Sequence, residues 1–357
     1  MTINKRIEAF VLLGDFLKQF GNNGTRQNNN KLNDLFYDDF EELIKIIHQR
    51  NTWFTAENVR TAIEEISCML EEKALRSWLA GYMTELSERN KPKNIAVIMA
   101  GNIPMVGFHD MLCVLISGNK LTAKLSSSDN LLLPFISKVL IAIEPAFADN
   151  IQFTDKQLQN IEAVIATGSN NSAGHFEYYF SKYPNIIRKN RNAVAVLTGK
   201  ETKEELALLG KDVFQYFGLG CRNVSKLFVP KGYKFDKFYE SVYEHKDVVL
   251  NNKYANNYEY NRTIYLMNSL PSLLDNNFLL LKEDPAITSP IGVLFYEYYD
   301  TINEVNARLK QVKEQLQCVV SNSKEIKKAI PIGKAQSPSL ADYADGVDTM
   351  KFLISLK

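Results

Sequence analysis

From about residue 94 onward, short apolar segments alternate with stretches of helical character, and this alternation strongly constrains the fold. The apolar segments predict strands at 94–100, 121–125, 161–169, 192–197, 226–230, 292–299 and 317–322. Helices are predicted between some of these strands, at 111–119, 131–144, about 172–182 and 202–217. Strands that are joined through helices form right-handed crossovers, so the sequence predicts an α/β protein with mostly parallel sheets.

The first 90 residues follow a different pattern, because their apolar residues recur at helical spacing. A first helix is indicated by Ile3, Ile7, Phe10, Leu13, Leu17 and Phe20. Further helical segments are predicted at 35–48 and 57–88, after a polar loop at 21–30. An amphipathic stripe of this kind usually packs against a core or a subunit interface rather than a membrane. The sequence therefore predicts a helical N-terminal segment that precedes the α/β part.

The length and charge of the chain set limits on its function. Its 357 residues are enough for two domains with substantial cores. The net charge is +1, so no overall field favours nucleic acid as a partner. No uncharged apolar run of about 18 residues occurs, so no membrane span is expected. The N-terminus is charged and lacks a small-residue cleavage site, so no secretory signal is expected and a cytoplasmic protein is predicted.

The cysteines and histidines give no sign of a metal centre. Four cysteines lie far apart, at 68, 113, 221 and 318, and no Cys-x-x-Cys pair is present. With only four histidines as well, the sequence predicts neither a zinc site nor a disulfide framework. Three of the cysteines, at 68, 113 and 318, lie within apolar helical or strand patterns and are interpreted as structural thiols.

Polar residues follow three of the predicted strands, where an open α/β sheet binds its ligands. Asn102 follows the first strand, and Lys124 with the serines at 126–128 follows the second. Thr167, Gly168 and Ser169 follow the third strand at the entry to a helix, where main-chain N–H groups can bind phosphate. Each also has an ordinary interpretation, as a turn residue, a solvated lysine or a helix N-cap. The common Gly-x-Gly-x-x-Gly dinucleotide motif is absent.

Cys221 lies in "FGLGCRNVSKLFVP" (217–230), between a glycine-rich stretch and a predicted strand. It is either a buried inert thiol or a nucleophile. The adjacent Arg222 would favour the thiolate if the two side chains faced one another. His109 and His175 lie close to the other candidate residues, where a structural role is favoured over proton transfer.

The order of these residues, Asn102, Lys124, the Gly-Ser turn and Cys221, resembles that of the aldehyde dehydrogenase superfamily. The resemblance is to its acyl-CoA reductase branch, typified by the fatty-acid reductase subunit of bacterial bioluminescence. It runs from about 93 to 229, and thinly from there to the C-terminus. Four stretches carry it: "NIAVIMAGNIPM" is similar to the strand and oxyanion turn, "SGNKLTAKLSSSD" to the adenosine pocket, "IATGS" to the pyrophosphate turn, and "FGLGCRNVSKLFVP" to the cysteine segment.

The resemblance implies an aldehyde-dehydrogenase-like α/β fold with two Rossmann-type domains. A cofactor-binding domain would span 1–185, joined by a returning segment at 332–357, and a catalytic domain would span 186–331. The implied activity is the NAD(P)H-dependent reduction of an acyl thioester, such as an acyl-CoA, to an aldehyde. Cys221 would carry the acyl group and Asn102 would donate to the oxyanion. The implied cofactor-binding residues are Lys124, Ser126, Ser127, Thr167, Gly168 and Ser169.

The resemblance also predicts NADPH as the cofactor, with NADH as the alternative. In NAD-using relatives, a carboxylate three residues after the strand lysine binds the ribose 2′-hydroxyl, and Ser127 stands there in this chain. A serine hydroxyl can donate to a 2′-phosphate, which a carboxylate would repel. Asp129 works against this prediction, because a small shift of register would bring its carboxylate to the ribose. The serines could equally cap the following helix.

Two departures from the family pattern bear on function. No carboxylate occurs in 184–197, where aldehyde-oxidising relatives carry the glutamate that activates water. The glutamate that steadies the nicotinamide ribose is also missing from "AITSPIG" (286–292). Other functions left open are a non-catalytic nucleotide-binding or acyl-CoA-binding protein of the same fold, a reductase of acyl phosphates, and an aldehyde oxidiser. The family further implies assembly into dimers or larger homo-oligomers through a strand hairpin.

Overall fold

The structure is a computed structural model that describes residues 1–28, 30–88, 91–268 and 273–356. Its helices are α1 (Ile3–Leu17), α2 (Lys31–Ile46), α3 (Ala56–Met69), α4 (Glu72–Leu79), α5 (Met83–Glu88), α6 (Phe108–Ile116), α7 (Leu132–Ile143), α8 (Asn170–Phe180), α9 (Lys203–Phe214), α10 (Asp236–Ser241), α11 (Asn252–Met267), α12 (Ile302–Gln311) and α13 (Thr349–Ser355). Its strands are β1 (Asn94–Ile98), β2 (Lys120–Lys124), β3 (Ile151–Phe153), β4 (Ala163–Thr167), β5 (Asn185–Arg188), β6 (Asn192–Val196), β7 (Val224–Pro230), β8 (Leu274–Asp275), β9 (Leu280–Glu283), β10 (Val293–Tyr299) and β11 (Leu316–Val320).

Unit 1 comprises residues 1–189 and 339–357 and contains a parallel sheet in the order β3-β2-β1-β4-β5. From the central β1 the chain winds through β2 to β3, and then crosses to β4 and β5 on the other side. The winding direction therefore reverses between β1 and β4. In sheets of this kind the reversal leaves a crevice at the carboxyl ends of the two strands, where ligands bind.

The N-terminal helices pack onto this sheet unit through their apolar faces. Phe10 of α1 is fully buried and contacts Phe147 edge to face, with ring centroids 5.7 Å apart. Phe40 of α2 stacks on Phe135 of α7, with centroids 4.7 Å apart. All six residues of the predicted apolar stripe in the first helix are buried, so the stripe is packed core, as predicted.

The segment at 339–357 is held in unit 1 by buried polar contacts. The Tyr343 hydroxyl accepts a hydrogen bond from Trp78 Nε1 at 2.8 Å. Arg188 forms a buried ion pair with both oxygens of Asp110, at 2.5 and 2.9 Å, and donates to Thr349 Oγ1 at 3.1 Å. These bonds join the segment to α4 and β5, and the ion pair joins β5 to α6.

Unit 2 comprises residues 190–338 and contains a six-stranded sheet in the order β11-β6-β7-β10-β9-β8. Every neighbouring pair is parallel except β8 with β9. Leu209 of α9 and Phe238 of α10 belong to the core on one face of the sheet, and Val305 of α12 belongs to the core on the other. Helices therefore cover both faces of the unit 2 sheet.

All seven predicted strands are present, but other parts of the prediction differ from the structure. The helix predicted over 57–88 is divided into α3, α4 and α5. The helix predicted over 202–217 ends at Phe214, and the following residues leave the helical conformation. The two units divide at 189/190 and 338/339, whereas the sequence placed the boundaries at 185/186 and 331/332. The cofactor-binding and catalytic roles assigned to the two domains remain predictions.

Within the described ranges, no helix has both the length and the apolar character needed to cross a membrane.

Candidate functional site

Three candidate segments of unit 1 lie together at one edge of its sheet. Ile98, the last residue of β1, pairs in register with Lys124 of β2 on one side and Ala166 of β4 on the other. Because these strands are parallel, the residues that follow them emerge at the same edge. Asn102, the serines at 126–128 and the turn at 167–169 therefore share the carboxyl edge of the sheet, where the winding direction reverses.

The turn that carries Asn102 is closely packed against the serine segment. A Cβ added at Gly101 would lie 2.6 Å from Ser126 Cβ, so this close approach requires glycine. Met105 adopts a left-handed conformation, with φ 55°, and its N–H donates to Asp129 Oδ2 at 2.7 Å. Asn102 is exposed at the top of this turn. The position of the turn is therefore fixed by its packing against Ser126 and by its hydrogen bond to Asp129.

Asp129 is the residue whose carboxylate a small shift of register would bring to the ribose, but in the structure it faces inward. It is only 3% exposed, and its carboxylate faces the Met105 turn instead of solvent. Burial raises the pKa of Asp129 to about 6, although the hydrogen bond from the Met105 N–H and the nearby main-chain N–H of Leu132 oppose this rise. In the sequence, the only signal for this role was an aspartate that ends a run of serines.

The serine segment presents hydroxyl groups at the sheet edge. Ser127 is exposed, while Lys124 and Ser126 are half-buried. Ser126 Oγ accepts a hydrogen bond from the Ser128 N–H at 3.2 Å, which closes a local turn. Helix α7 begins at Leu132 with Leu131 as its N-cap, and no side chain caps it there. The serines therefore shape the loop and do not act as the N-cap of the helix.

The Gly-Ser turn after β4 leads directly into α8. Ser169 is the N-cap of this helix, and its Oγ accepts from the Ser172 N–H at 3.2 Å. A Cβ added at Gly168 would lie 2.9 Å from both Ser172 Cβ and the Phe176 ring, so the turn requires glycine. Thr167 is the last residue of β4 and is half-buried. The ordinary N-cap role of Ser169 is thus present, and the amino end of α8 also points its main-chain N–H groups towards this edge.

The chemistry of this edge suits a dinucleotide. It combines the ammonium group of Lys124, the exposed hydroxyl of Ser127 and the amino end of α8. Cations, hydroxyl donors and helix N-termini are the groups that bind ribose and phosphate oxygens.

Cys221 lies in unit 2, in a turn at the amino end of β7. It follows a short 3-10 segment, Gln215–Gly218, that continues from α9. Tyr216 and Phe217 adopt left-handed conformations, with φ 52° and 58°, and Gly218 follows at φ 77°. Cys221 itself is half-buried. The predicted nucleophile therefore lies on a sharply bent loop between a helix and a strand.

Arg222 contacts the loop at 333–335 of the same unit. Its Nε donates to the main-chain oxygen of Ala335 at 2.5 Å. Asp212 of α9 accepts from the N–H groups of Gly333 and Ala335, at 2.7 and 3.0 Å. Burial raises the pKa of Asp212 to about 6, against the opposing effects of these N–H groups and of Arg222. Arg222 and Asp212 thus both form hydrogen bonds with the loop at 333–335. The sequence did not indicate these bonds.

The other cysteines are thiols as well and differ in setting. Cys113 is buried in α6, and burial raises its pKa well above the ordinary value. Cys68 is exposed and Cys318 is half-buried in β11.

The two histidines near the candidate segments have different surroundings. His109 Nε2 lies 3.0 Å from the main-chain oxygen of Leu340, and burial lowers the pKa of this histidine. His175 is exposed on α8. Among the described residues, no group of three or more His, Cys, Asp or Glu side chains is arranged to hold a metal ion.

Comparisons with known proteins place these observations in context. The sequence profile of the acyl-CoA reductase (LuxC) family matches residues 8–186, about half of the chain. The matched range ends before Cys221, so the assignment of that residue depends on its own motif and turn. A comparison with curated proteins finds no match.

Several solved structures are similar to this chain. Aldehyde dehydrogenase 21 from Physcomitrella patens, solved with its reaction product succinate, is 12% identical, with TM-score 0.65 over 99% of this chain and 84% of its own. An NAD-dependent aldehyde dehydrogenase from Sinorhizobium meliloti is 13% identical, with TM-score 0.63 and coverages of 93% and 74%. The NAD⁺ complex of a Bacillus cereus aldehyde dehydrogenase is 14% identical, with TM-score 0.60 and coverages of 91% and 73%. At these identities the likeness shows the fold alone, and it confirms the predicted aldehyde-dehydrogenase-like α/β fold.

Proposed function

The chain belongs to the acyl-CoA reductase (LuxC) family, as its motifs predicted, and from this premise we propose that it reduces an acyl thioester to an aldehyde. The family and the fold are those of oxidoreductases that act on acyl or aldehyde groups. We assign the acyl-carrying role to Cys221 and the cofactor-binding role to the carboxyl edge of the unit 1 sheet. The natural acyl donor is proposed to be an acyl-CoA.

The observation that carries this proposal is the setting of Cys221. Its thiol is half-buried, lies outside any regular element and follows two left-handed aromatic residues. Two consecutive aromatic residues in the left-handed conformation cost free energy, and residues with such strained backbones cluster at active sites. Cys113, by contrast, lies fully buried within a helix, where thiols are inert.

The proposed reaction begins when the Cys221 thiolate attacks the thioester carbon and forms a tetrahedral oxyanion. The Cys221 main-chain N–H donates a hydrogen bond to this oxyanion, and the family pattern assigns the role of second donor to the Asn102 amide. The oxyanion collapses, the carbon–sulfur bond to the CoA thiol breaks, and that thiolate takes up a proton. The nicotinamide, when bound, supplies a hydride to the acyl carbon. The bond to Cys221 then breaks, which releases the aldehyde and restores the thiolate. One thioester, one NADPH and one proton thus give one aldehyde, one NADP⁺ and one thiol.

The lack of a water-activating side chain supports reduction over hydrolysis. The stretch 184–197 forms β5 and β6 and contains no carboxylate. A general base in that stretch would otherwise activate water and release the acyl group as an acid. Its absence leaves the acyl-cysteine available to the hydride.

The preference for NADPH is supported by the position of Asp129. Its carboxylate is buried and bonded to the Met105 N–H, so the exposed groups beside Lys124 are serine hydroxyls. A 2′-phosphate meets no exposed carboxylate between residues 124 and 131.

The test is a panel of acyl-CoAs assayed for oxidation of NADPH and NADH, with the aldehyde identified chemically. We expect Cys221→Ala to abolish both turnover and covalent labelling by the acyl group. Cys318→Ala is the matched control, because Cys318 is a second half-buried thiol of unit 2, and we expect it to retain activity. We expect Asn102→Ala to lower kcat by about 10²–10³-fold. Near-normal reduction by Cys221→Ala would overturn the proposal.

The alternative functions give different results in the same assay. A non-catalytic protein would bind nucleotide or acyl-CoA without consuming the cofactor and without acyl labelling. Acyl phosphates and free aldehydes, added to the panel with NADP⁺ or NAD⁺ where oxidation is tested, distinguish the other two reactions.

A further inference from the structure

The loop that carries Cys221 adopts a conformation that its sequence does not favour. Tyr216 and Phe217 are consecutive bulky residues with positive φ, and both side chains are buried, at 6% and 9% exposure. Left-handed conformations are disfavoured for residues of this kind because Cβ approaches the main chain too closely. Such a conformation persists only where neighbouring groups hold it in place.

Asn223 makes the contacts that hold this loop. Its side chain is 1% exposed and lies against the end of α9. Its Nδ2 donates to the main-chain oxygens of Asp212 and Gln215, at 3.1 and 2.8 Å, with Val213 O at 3.4 Å. The last carbonyl groups of a helix have no partner within the helix, so one amide satisfies several of them. Through these bonds Asn223 ties the turn before β7 to the end of α9.

The same residue closes the turn around Cys221. Asn223 Oδ1 accepts from the Gly220 N–H at 2.8 Å, and the Asn223 N–H donates to Gly220 O at 3.0 Å. Gly220 and Asn223 are thus joined by two hydrogen bonds, and the only residues between them are Cys221 and Arg222. This arrangement is a four-residue turn with the cysteine at its second position.

We propose that Asn223 is the positioning residue of Cys221, which fixes the turn at 220–223 and thereby the direction of the thiol and of the cysteine N–H. The conformational part of this proposal is independent of the reaction, and its kinetic part rests on the proposed function. Asn223 is buried behind the turn and acts through it without touching the reacting atoms. Misplacement of a reacting group by about 1 Å can cost on the order of 100-fold in rate.

The test compares Asn223→Ala with Glu201→Ala. Glu201 is the matched control because it is also buried and holds a turn, accepting from the N–H groups of Thr198 and Gly199 at 2.6 and 3.0 Å. That turn follows β6 and so lies at the opposite edge of the unit 2 sheet. We expect Asn223→Ala to speed amide exchange in a 215–222 peptide at least about tenfold, and Glu201→Ala to leave that peptide unchanged.

In turnover, we expect Asn223→Ala to lower kcat about 10–100-fold, with KM for the acyl-CoA within about threefold of wild type. Exchange in the 215–222 peptide within threefold of wild type would overturn the inference, as would faster exchange with unchanged kcat. If the wild-type protein reduces none of the acyl-CoAs, the proposed function fails, while the exchange comparison still decides whether Asn223 fixes the turn.

A second variant covers the case in which Asn223→Ala does not fold. Asn223→Asp keeps an oxygen for the Gly220 N–H and, once protonated, regains one donor to the carbonyls of α9. We therefore expect its exchange rate in the 215–222 peptide, relative to wild type at the same pH, to approach unity as the pH falls. A ratio that stays raised and does not change with pH would contradict the role of the Asn223 donor.

Discussion

Burial raises the pKa of both Asp129 and Asp212 to about 6. Asp129 accepts a hydrogen bond from the main-chain N–H of Met105, and Asp212 accepts two, from Gly333 and Ala335. Asp129 holds the turn that carries Asn102, and Asp212 holds the loop at 333–335. At the scale of the residue, a loop in each unit is thus held by a buried carboxylate. Burial makes the ionised form of each aspartate unfavourable, so we expect the stability of these loops to change with pH.

The first prediction concerns this pH dependence. The pKa of Asp129 is raised from 3.8 to about 6 in the folded protein, so its contribution to stability is fully present below pH 3.8 and is lost as the pH rises through about 6. Asp129→Asn removes this loss. Between about pH 4 and 7, the stability of the variant relative to wild type should therefore improve by up to roughly 3 kcal/mol.

The readout is intrinsic fluorescence during urea unfolding. The protein has two tryptophans, Trp53 and Trp78, and both lie in unit 1 with Asp129. A stability difference between variant and wild type that stays constant across this pH range would show that Asp129 does not titrate as described.

The second prediction concerns the cofactor. Ser127→Glu places a carboxylate where an NAD-binding relative would carry one, and it should repel the 2′-phosphate of NADPH. We expect kcat/KM for NADPH to fall and the preference to shift towards NADH. Ser128→Glu is the control, since it adds the same charge to the neighbouring exposed position. A wild-type preference for NADH, or an equal effect of both variants, would contradict the assigned role of Ser127.

At the scale of the element, the centre of the unit 2 sheet contains a buried charge. Lys226 of β7 has no exposed side-chain area, and its Nζ lies 2.5 Å from Glu297 Oε2 of β10 and 2.8 Å from Asp284 O. Burial lowers the pKa of Lys226, while Glu297 opposes that change. An ammonium group in this position is tolerated because its partners are fixed on the neighbouring strand and loop.

The third prediction follows from this pair. Glu297→Ala leaves the ammonium without its carboxylate and should cost about 2–4 kcal/mol, whereas Lys226→Met removes the charge and should stay within about 1 kcal/mol of wild type. Hydrogen exchange in the β7 and β10 peptides measures both effects. Equal losses in the two variants would mean that the burial of the charge is not what makes Glu297 necessary.

The elements of the fold were predictable to the extent that each was long and apolar. The strands with continuous apolar runs, such as β1 and β10, were recognised from the sequence. The short strands β3, β5, β8 and β9 were missed, because two to four residues are too few to carry a clear pattern. Helix α11 was missed because its apolar residues form no distinct stripe.

The candidate site was predictable where its residues follow a strand, since parallel strands bring such residues to one edge. Asn102, Lys124 and the Gly-Ser turn were placed in this way. The supporting roles of Asn223 and Asp129 were not predicted, because no sequence pattern shows which polar side chains turn inward. For Asp129 that choice depends on the packing of two loops whose bonded residues are 24 positions apart. For Asn223 it depends on the irregular turn between the end of α9 and β7.

At the scale of the whole molecule, residues 339–357 belong to unit 1 although all of unit 2 precedes them in the chain. The fourth prediction tests how much they contribute. Tyr343→Phe removes the acceptor of the Trp78 Nε1–H and should destabilise unit 1 by about 1–2 kcal/mol. Tryptophan fluorescence should report a lower unfolding midpoint, while the exposed Tyr179→Phe in the same unit should leave it unchanged. A midpoint that does not respond to Tyr343→Phe would show that this bond does not stabilise the unit.

The discontinuity of unit 1 has a consequence for how the protein is made. The ribosome releases residues 190–338 as one uninterrupted stretch, so unit 2 has all of its strands before synthesis is finished. Until residues 339–357 emerge, Trp78 lacks its Tyr343 partner and Arg188 lacks Thr349. The unit that is translated first is therefore the last to complete its packing, and the nascent chain is most exposed to misfolding and chaperone binding there.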